Sequence, residues 1–136
     1  MSNKWSFRMK LERGMTLTAN QRLSWRAANR VTRELRNRAL IYARGSNFPR
    51  DLSKVRIHIT LHWHDPGRRR DAANWSPTAK AIVDGLVDFG LIPDDSNKFL
   101  EGPFLWAGGE VAPPGVTWVD VVVTDMSPSS VNEGGR

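Results

Sequence analysis

Asp71, Asp94 and Asp95 flank a helix-forming stretch, so the two ends of that helix could bring three carboxylates to one site. Carboxylates about 5 Å apart repel by about 3 kcal/mol per pair at an effective dielectric near 20, so such a cluster persists only by protonation or around a cation. Hard oxygen donors favour Mg2+, with Mn2+ as a substitute, over softer metals. Beside a phosphodiester, such a cation polarises the phosphoryl oxygen, activates water and stabilises the leaving oxyanion. The local alternative is a polar turn, since Asp94-Asp95-Ser96-Asn97 follows Pro93. Spacing alone leaves both readings open.

A second constellation is cationic. Arg22, Arg26, Arg30, Arg33 and Arg36 recur at helical spacing, and Arg68, Arg69 and Arg70 follow the next strand. Glu34 is the one acid among the charged residues from Arg22 to Arg44. A solvated helix face normally mixes both signs, so this stripe points to a polyanion, and nucleic acid is the expected partner. Six arginines on six phosphates predict a salt slope of about −5. Lys80 precedes Asp84 by four residues, the spacing of an ordinary helical ion pair. The other reading aims Lys80 at the acidic cluster, to neutralise charge on a phosphorane-like transition state. His58, His62 and His64 alternate along a strand and are candidates for phosphate contact or general base chemistry more than for metal ligation. Trp75 and Trp106 read as core or lid residues.

The elements that must position these groups are legible from periodicity. Trp5 to Leu11 alternates as a half-buried strand. From Asn20 to about Arg44, Leu23, Ala27, Val31, Leu35, Ala39 and Tyr42 define the apolar face of a helix, with Gly45 as its stop. Lys54 to His64 alternates strictly, Val55, Ile57, Ile59, Leu61 and Trp63 on one face and the histidines on the other. Ser76-Pro77 is an N-cap and first-turn proline for a second helix to about Phe89, stopped by Gly90. Phe99 to Val111 and Val116 to Thr124 are further extended stretches. The order β-α-β-α-β-β gives an α+β class: a small mixed sheet packed with two helices. One domain is expected over residues 1–126, with 127–136 as a flexible tail.

Composition sets the outer limits. A chain of 136 residues with 40% apolar content can bury one core without staples. It has no cysteine, which excludes disulfides, thiolate zinc sites and thiol nucleophiles. No apolar run approaches the roughly 20 residues of a membrane span, and Met1 to Lys10 alternates instead of forming a signal-peptide core. A cytoplasmic protein with no membrane partner is therefore expected. The net charge of +6 is unevenly spread: residues 20–70 carry thirteen basic and three acidic side chains, residues 71–136 three basic and ten acidic. The basic half would attract a polyanion that the acidic half would repel, unless cations neutralise part of it.

Arg69-Arg70-Asp71-Ala72-Ala73-Asn74, Lys80 with Asp84-Gly85-Leu86, and Gly90-Leu91-Ile92-Pro93-Asp94-Asp95 together resemble the RusA family of Holliday-junction resolvases, especially its phage-borne branch. The specific part of the match is residues 68–96; Leu17-Thr18-Ala19-Asn20-Gln21-Arg22 is similar to the family's loop before its first helix. The resemblance implies a homodimeric, Mg2+-dependent crossover junction endodeoxyribonuclease. It would nick four-way DNA junctions symmetrically, use no small-molecule cofactor, and act in a bacterial host cytoplasm. Asp71 and Asp95 match the family's catalytic, metal-binding aspartates, Asp94 is a further oxygen at that site, and Lys80 matches an essential lysine. The implied DNA-binding set is Asn20, Arg22, Arg26, Arg30, Arg33, Arg68, Arg69, Arg70 and Asn74.

The chain departs from the family pattern in two places. The motif reads Arg-Asp-x-Asp-Asn, whereas position 73 is Ala73, which has no ligand atom. Metal affinity and cleavage are therefore expected to fall, while fold and DNA binding survive. Lys80 also lies six residues after Asn74, a longer interval than in the founding member. The rival expectation is a catalytically inactive protein that binds branched DNA. A small RNA-binding protein fits the charge of the first half but not the acidic second half.

Overall fold

The computed structural model describes residues 3–65 and 71–128. Strand β1 (Lys4–Glu12) buries Phe7, Met9 and Leu11 on one face, as its alternation requires. Helix α1 (Trp25–Gly45) buries Val31, Leu35, Ala39 and Ala43. It starts later than the apolar period suggests. The Ser24 side chain accepts the Ala27 N–H at 3.1 Å and caps the helix there, leaving Asn20 to Leu23 in the preceding loop.

Strand β2 (Val55–His62) buries Val55, Ile57, Ile59 and Leu61. A single 3-10 turn (Ala72–Trp75) runs directly into α2 (Ser76–Phe89). Asp71 caps that turn by accepting the Ala73 N–H at 3.0 Å. Ser76 is consequently not the N-cap that the Ser-Pro pair suggests; it sits inside a helical run already begun. Gly90 ends α2 with φ of 101°, the left-handed position for which glycine carries no Cβ penalty. Strands β3 (Leu100–Ala107) and β4 (Val116–Asp125) complete the α+β order β-α-β-α-β-β.

The sheet order is β1-β4-β2-β3. Strand β4 is antiparallel to both β1 and β2, whereas β2 and β3 are parallel. A parallel pair needs a crossover, which α2 supplies. The register of β2 and β3 slips between Arg56 and His58, opposite the cis Gly102-Pro103 bond, where proline has no N–H for the ladder. Both helices share one core with a single sheet face, built from residues such as Met9, Ile59, Leu61, Val121, Leu35 and Leu86. Where α1 crosses α2 the backbones are close: a Cβ on Gly85 would run into the Arg36 carbonyl and lie 2.8 Å from the Ala39 Cβ. The other sheet face carries Arg8, His58, Asp120 and Trp106 and is left without a helix. Among the described residues no helix is long and apolar enough to cross a membrane.

Candidate nucleic-acid interface and acidic pocket

Lys80 lies on the exposed side of α2, near its start. Its Nζ is 3.4 Å from Asp95 Oδ2 and 3.8 Å from Asp84 Oδ1, so the local ion pair and the contact to the acidic segment coexist. Lys80 and Asp95 are the charged groups lining a cavity of about 570 Å³ between α2 and β3, whose remaining wall includes Pro77, Val83, Leu100, Pro103 and Leu105. Asn74 lies in the 3-10 turn and Lys80 in the first part of α2.

The acidic trio does not close. Asp71, Asp94 and Asp95 do not bring three ligand atoms within 4.8 Å of one another. Asp71 Oδ1 is turned onto the Ala73 N–H. Asp94 Oδ1 accepts the Ser96 N–H at 2.8 Å, and that bond holds its carboxyl below the usual carboxylate range. For Asp94 the polar-turn reading is the one realised. Three like charges repel without a counter-charge, so each carboxylate has taken a separate partner: two backbone N–H groups and one lysine. Ala73 presents a methyl group, which offers no ligand atom. The chain's own donors fit a tightly held Mg2+ poorly.

The start of the basic region is tied to the segment that leads into α2. Ala19 N–H donates to the Asn74 carbonyl at 2.7 Å, and the buried Thr78 hydroxyl both accepts Leu17 N–H at 2.8 Å and donates to the Leu17 carbonyl at 2.6 Å. The loop carrying Asn20 and Arg22 is thereby clamped onto the segment carrying Asp71, Asn74 and Lys80. Arg22, Arg26, Arg30 and Arg33 are exposed and pair with no carboxylate among the described residues. Arg36 leaves the stripe, because its guanidinium grips Asp88 of α2 at 2.8 and 3.0 Å. Arg68, Arg69 and Arg70 lie outside the described residues.

A third cluster was not legible from spacing. Among the described residues, His62, Glu110 and Asp120 are the three-residue group whose ligand atoms lie within 4.8 Å of one another. Their hydrogen bonds oppose a metal there. The Glu110 backbone N–H donates to His62 Nδ1 at 3.1 Å, so the ring proton sits on Nε2, which donates to Asp120 Oδ2 at 2.9 Å. Arg8 forks onto Asp120 at 2.6 and 2.9 Å and reaches Glu110 at 2.7 Å. Those bonds to Arg8 hold both carboxyls below their ordinary range. The cluster is an ion-pair network that ties β1, β2, β4 and the 108–112 segment together. His62 is buried although it lies on the sheet face opposite the core, and its ring fills the space over Gly108 that a side chain there would need. The available signal was a lone aspartate inside the apolar run Val116 to Val123.

No protein-family model matches the chain, and no curated protein matches it.

Proposed function

We propose that the protein binds branched DNA, four-way junctions above all, on a scaffold of the junction-resolvase type, and that Ala73 leaves its phosphodiester hydrolysis weak. The observation that carries the reading is the row of exposed arginines Arg22, Arg26, Arg30 and Arg33, which pair with no carboxylate among the described residues and whose first member lies in the loop clamped onto the segment leading to Lys80. Cations without carboxylate partners are free to meet phosphates, and releasing the counterions condensed on DNA drives that contact.

Within the pocket Lys80 would meet the negative charge of a phosphate, and Asp95 holds the ammonium in place. Asp95 is the carboxylate of the pocket that would hold a divalent cation, which when bound would supply Lewis-acid activation of the phosphate. One carboxylate, already paired with Lys80, leaves occupancy low at ordinary Mg2+ concentrations. Two-fold pairing of chains would match the near two-fold symmetry of a junction.

The test compares the chain with Ala73→Asp on a labelled four-way junction in Mg2+. Both forms are expected to bind, and strong, symmetric cleavage is expected only from the Asp form. Equal cleavage by both would make position 73 dispensable; no cleavage by either would leave a pure binding protein. Loss of preference for junctions over linear duplex would remove the reading altogether. Light scattering of the junction complex is expected to give two chains per junction.

A further inference from the structure

Trp25 is the most exposed of the large apolar side chains on the described surface, at 77%. Tryptophan is seldom left so bare, because its ring carries more apolar area than any other side chain. It makes no hydrogen bond and no ring contact with a described residue. Arg22 precedes it by three residues, Arg26 follows it directly, and Arg30 and Arg33 continue along the same helix. None of the four pairs with a carboxylate among the described residues. The first turn of the helix contains no acidic residue that would repel an anion brought to the ring.

The sheet offers a contrasting aromatic surface. Phe104, His58 and Trp106 line up on β3 and β2, with ring centroids 5.2 and 5.9 Å apart, and Trp106 Nε1–H donates to His58 Nδ1 at 2.9 Å. The cations near that row are already neutralised, Arg56 by Glu101 and Arg8 by Asp120 and Glu110. Rings without free charge are poor platforms for a polyanion. Trp25 combines a bare ring with free charge.

We infer that Trp25 is a stacking platform for a nucleobase exposed at the branch point of DNA, with Arg22 and Arg26 holding the flanking phosphates. The inference rests on the DNA-binding reading and adds to it the residue that tells branched from continuous duplex. In a continuous duplex each base face is covered by its neighbours. At a branch, a mismatch or a single-stranded gap the faces are open, and an aromatic ring gains by covering one. The arginines then supply affinity for any DNA, and Trp25 supplies the preference for a discontinuity in the stack.

The experiment uses the full chain, Trp25→Ala and Trp25→Phe, titrated by fluorescence anisotropy against a labelled four-way junction and a linear duplex of matched sequence. A second junction carries 2-aminopurine at the crossover. Trp25→Ala is expected to weaken junction binding about tenfold, the order of one lost stacking contact, and to change duplex binding less than twofold. Trp25→Phe, which keeps a ring, is expected to stay within threefold of the parent on the junction. The parent and the Phe form, but not Trp25→Ala, are expected to alter 2-aminopurine emission. Unchanged junction affinity in Trp25→Ala would overturn the inference while leaving DNA binding intact, and so would an equal loss on the duplex. A dimer that dissociates in Trp25→Ala by light scattering would assign the ring to a second copy of the chain instead. If the parent binds neither DNA, the proposed function falls first and this inference with it.

Discussion

Arg8, Arg36, Arg38 and Arg56 each sit on a carboxylate, whereas Arg22, Arg26, Arg30 and Arg33 sit on none among the described residues. Both groups are arginines of one small domain, and all but Arg22 lie on regular elements. They differ in what the fold places opposite them. The first group lies where strands or helices face one another: Arg8 of β1 is in register with Asp120 of β4, and Arg36 of α1 meets Asp88 of α2. The second group follows the outward side of α1 and the loop before it, where Glu34, the nearby acid, is taken by Arg38. Guanidinium groups that close a fold are spent on it. Those left over mark the surface available to an outside anion, and a count of arginines along the chain does not separate the two.

The largest expected effect breaks the unpaired set. Changing Arg22, Arg26, Arg30 and Arg33 together to Gln should make the salt slope of junction binding shallower by about 3.6 and lower affinity on the order of a hundredfold at 0.1 M salt. The thermal midpoint should hardly move, because none of the four has a partner to lose. Titration from 50 to 200 mM salt, with calorimetry on the same samples, reads both quantities. An unchanged slope would assign the phosphate contacts elsewhere. Next in size is Gly85→Ala, which tests how α1 is seated. Its methyl would meet the Arg36 carbonyl and Ala39, and overpacking of this kind costs about 1–3 kcal/mol. Denaturant unfolding should show that loss, and a neutral result would mean that the α1–α2 contact is looser than drawn.

The same contrast explains what was legible in the sequence. Helix faces and strand faces follow from burial with a fixed period, so Met9, Leu35, Ile59, Ile82 and Val121 fall in the core where their spacing puts them. Gly90 stops α2 for a purely local reason. Pairing across strands is not local. That Arg8 meets Asp120, and that His62 is buried between them and Glu110, depends on the order β1-β4-β2-β3, which no single segment encodes. The start of α1 was missed because the apolar series extends back to Leu23, while the cap at Ser24 outweighs it; Leu23 is left exposed. Trp25 lies off that apolar series and between two arginines, a pattern that could have singled it out. Around the acidic segment, spacing gave Lys80 its helical neighbour Asp84 and offered the turn that Asp94 closes, whereas the contact of Lys80 with Asp95 depends on how α2 meets the segment after it.

Smaller effects belong to the paired set. Arg8→Met should leave junction affinity unchanged and shift acid unfolding. Asp120 is held below its ordinary range first by its bond to Arg8, then by His62. A carboxyl lowered in the folded state adds stability that is fully present above its unfolded pKa, near 4, and is lost as pH falls through the folded value. Without Arg8 the lowering shrinks, so the acid midpoint should move upward, while stability above pH 5 loses the pair itself. Following unfolding by circular dichroism from pH 6 to pH 2 at low and high salt checks this. A midpoint unmoved by Arg8→Met would mean that His62 alone holds the carboxylate.

The smallest change separates the two sets most sharply, because it lies on the same helix as the free arginines. Arg36→Gln removes the fork onto Asp88 but retains a polar side chain of similar reach. Both partners are partly solvated, so the expected cost is about 0.5 kcal/mol, diminishing in high salt. Junction affinity and its salt slope should match the parent. Arg33→Gln, three residues earlier on α1, should do the reverse: no loss in calorimetry and a slope shallower by about 0.9. If both substitutions moved the slope equally, Arg36 would be exchanging Asp88 for phosphate when DNA arrives. The division between arginines that close the fold and arginines that face DNA would then describe only the unbound protein.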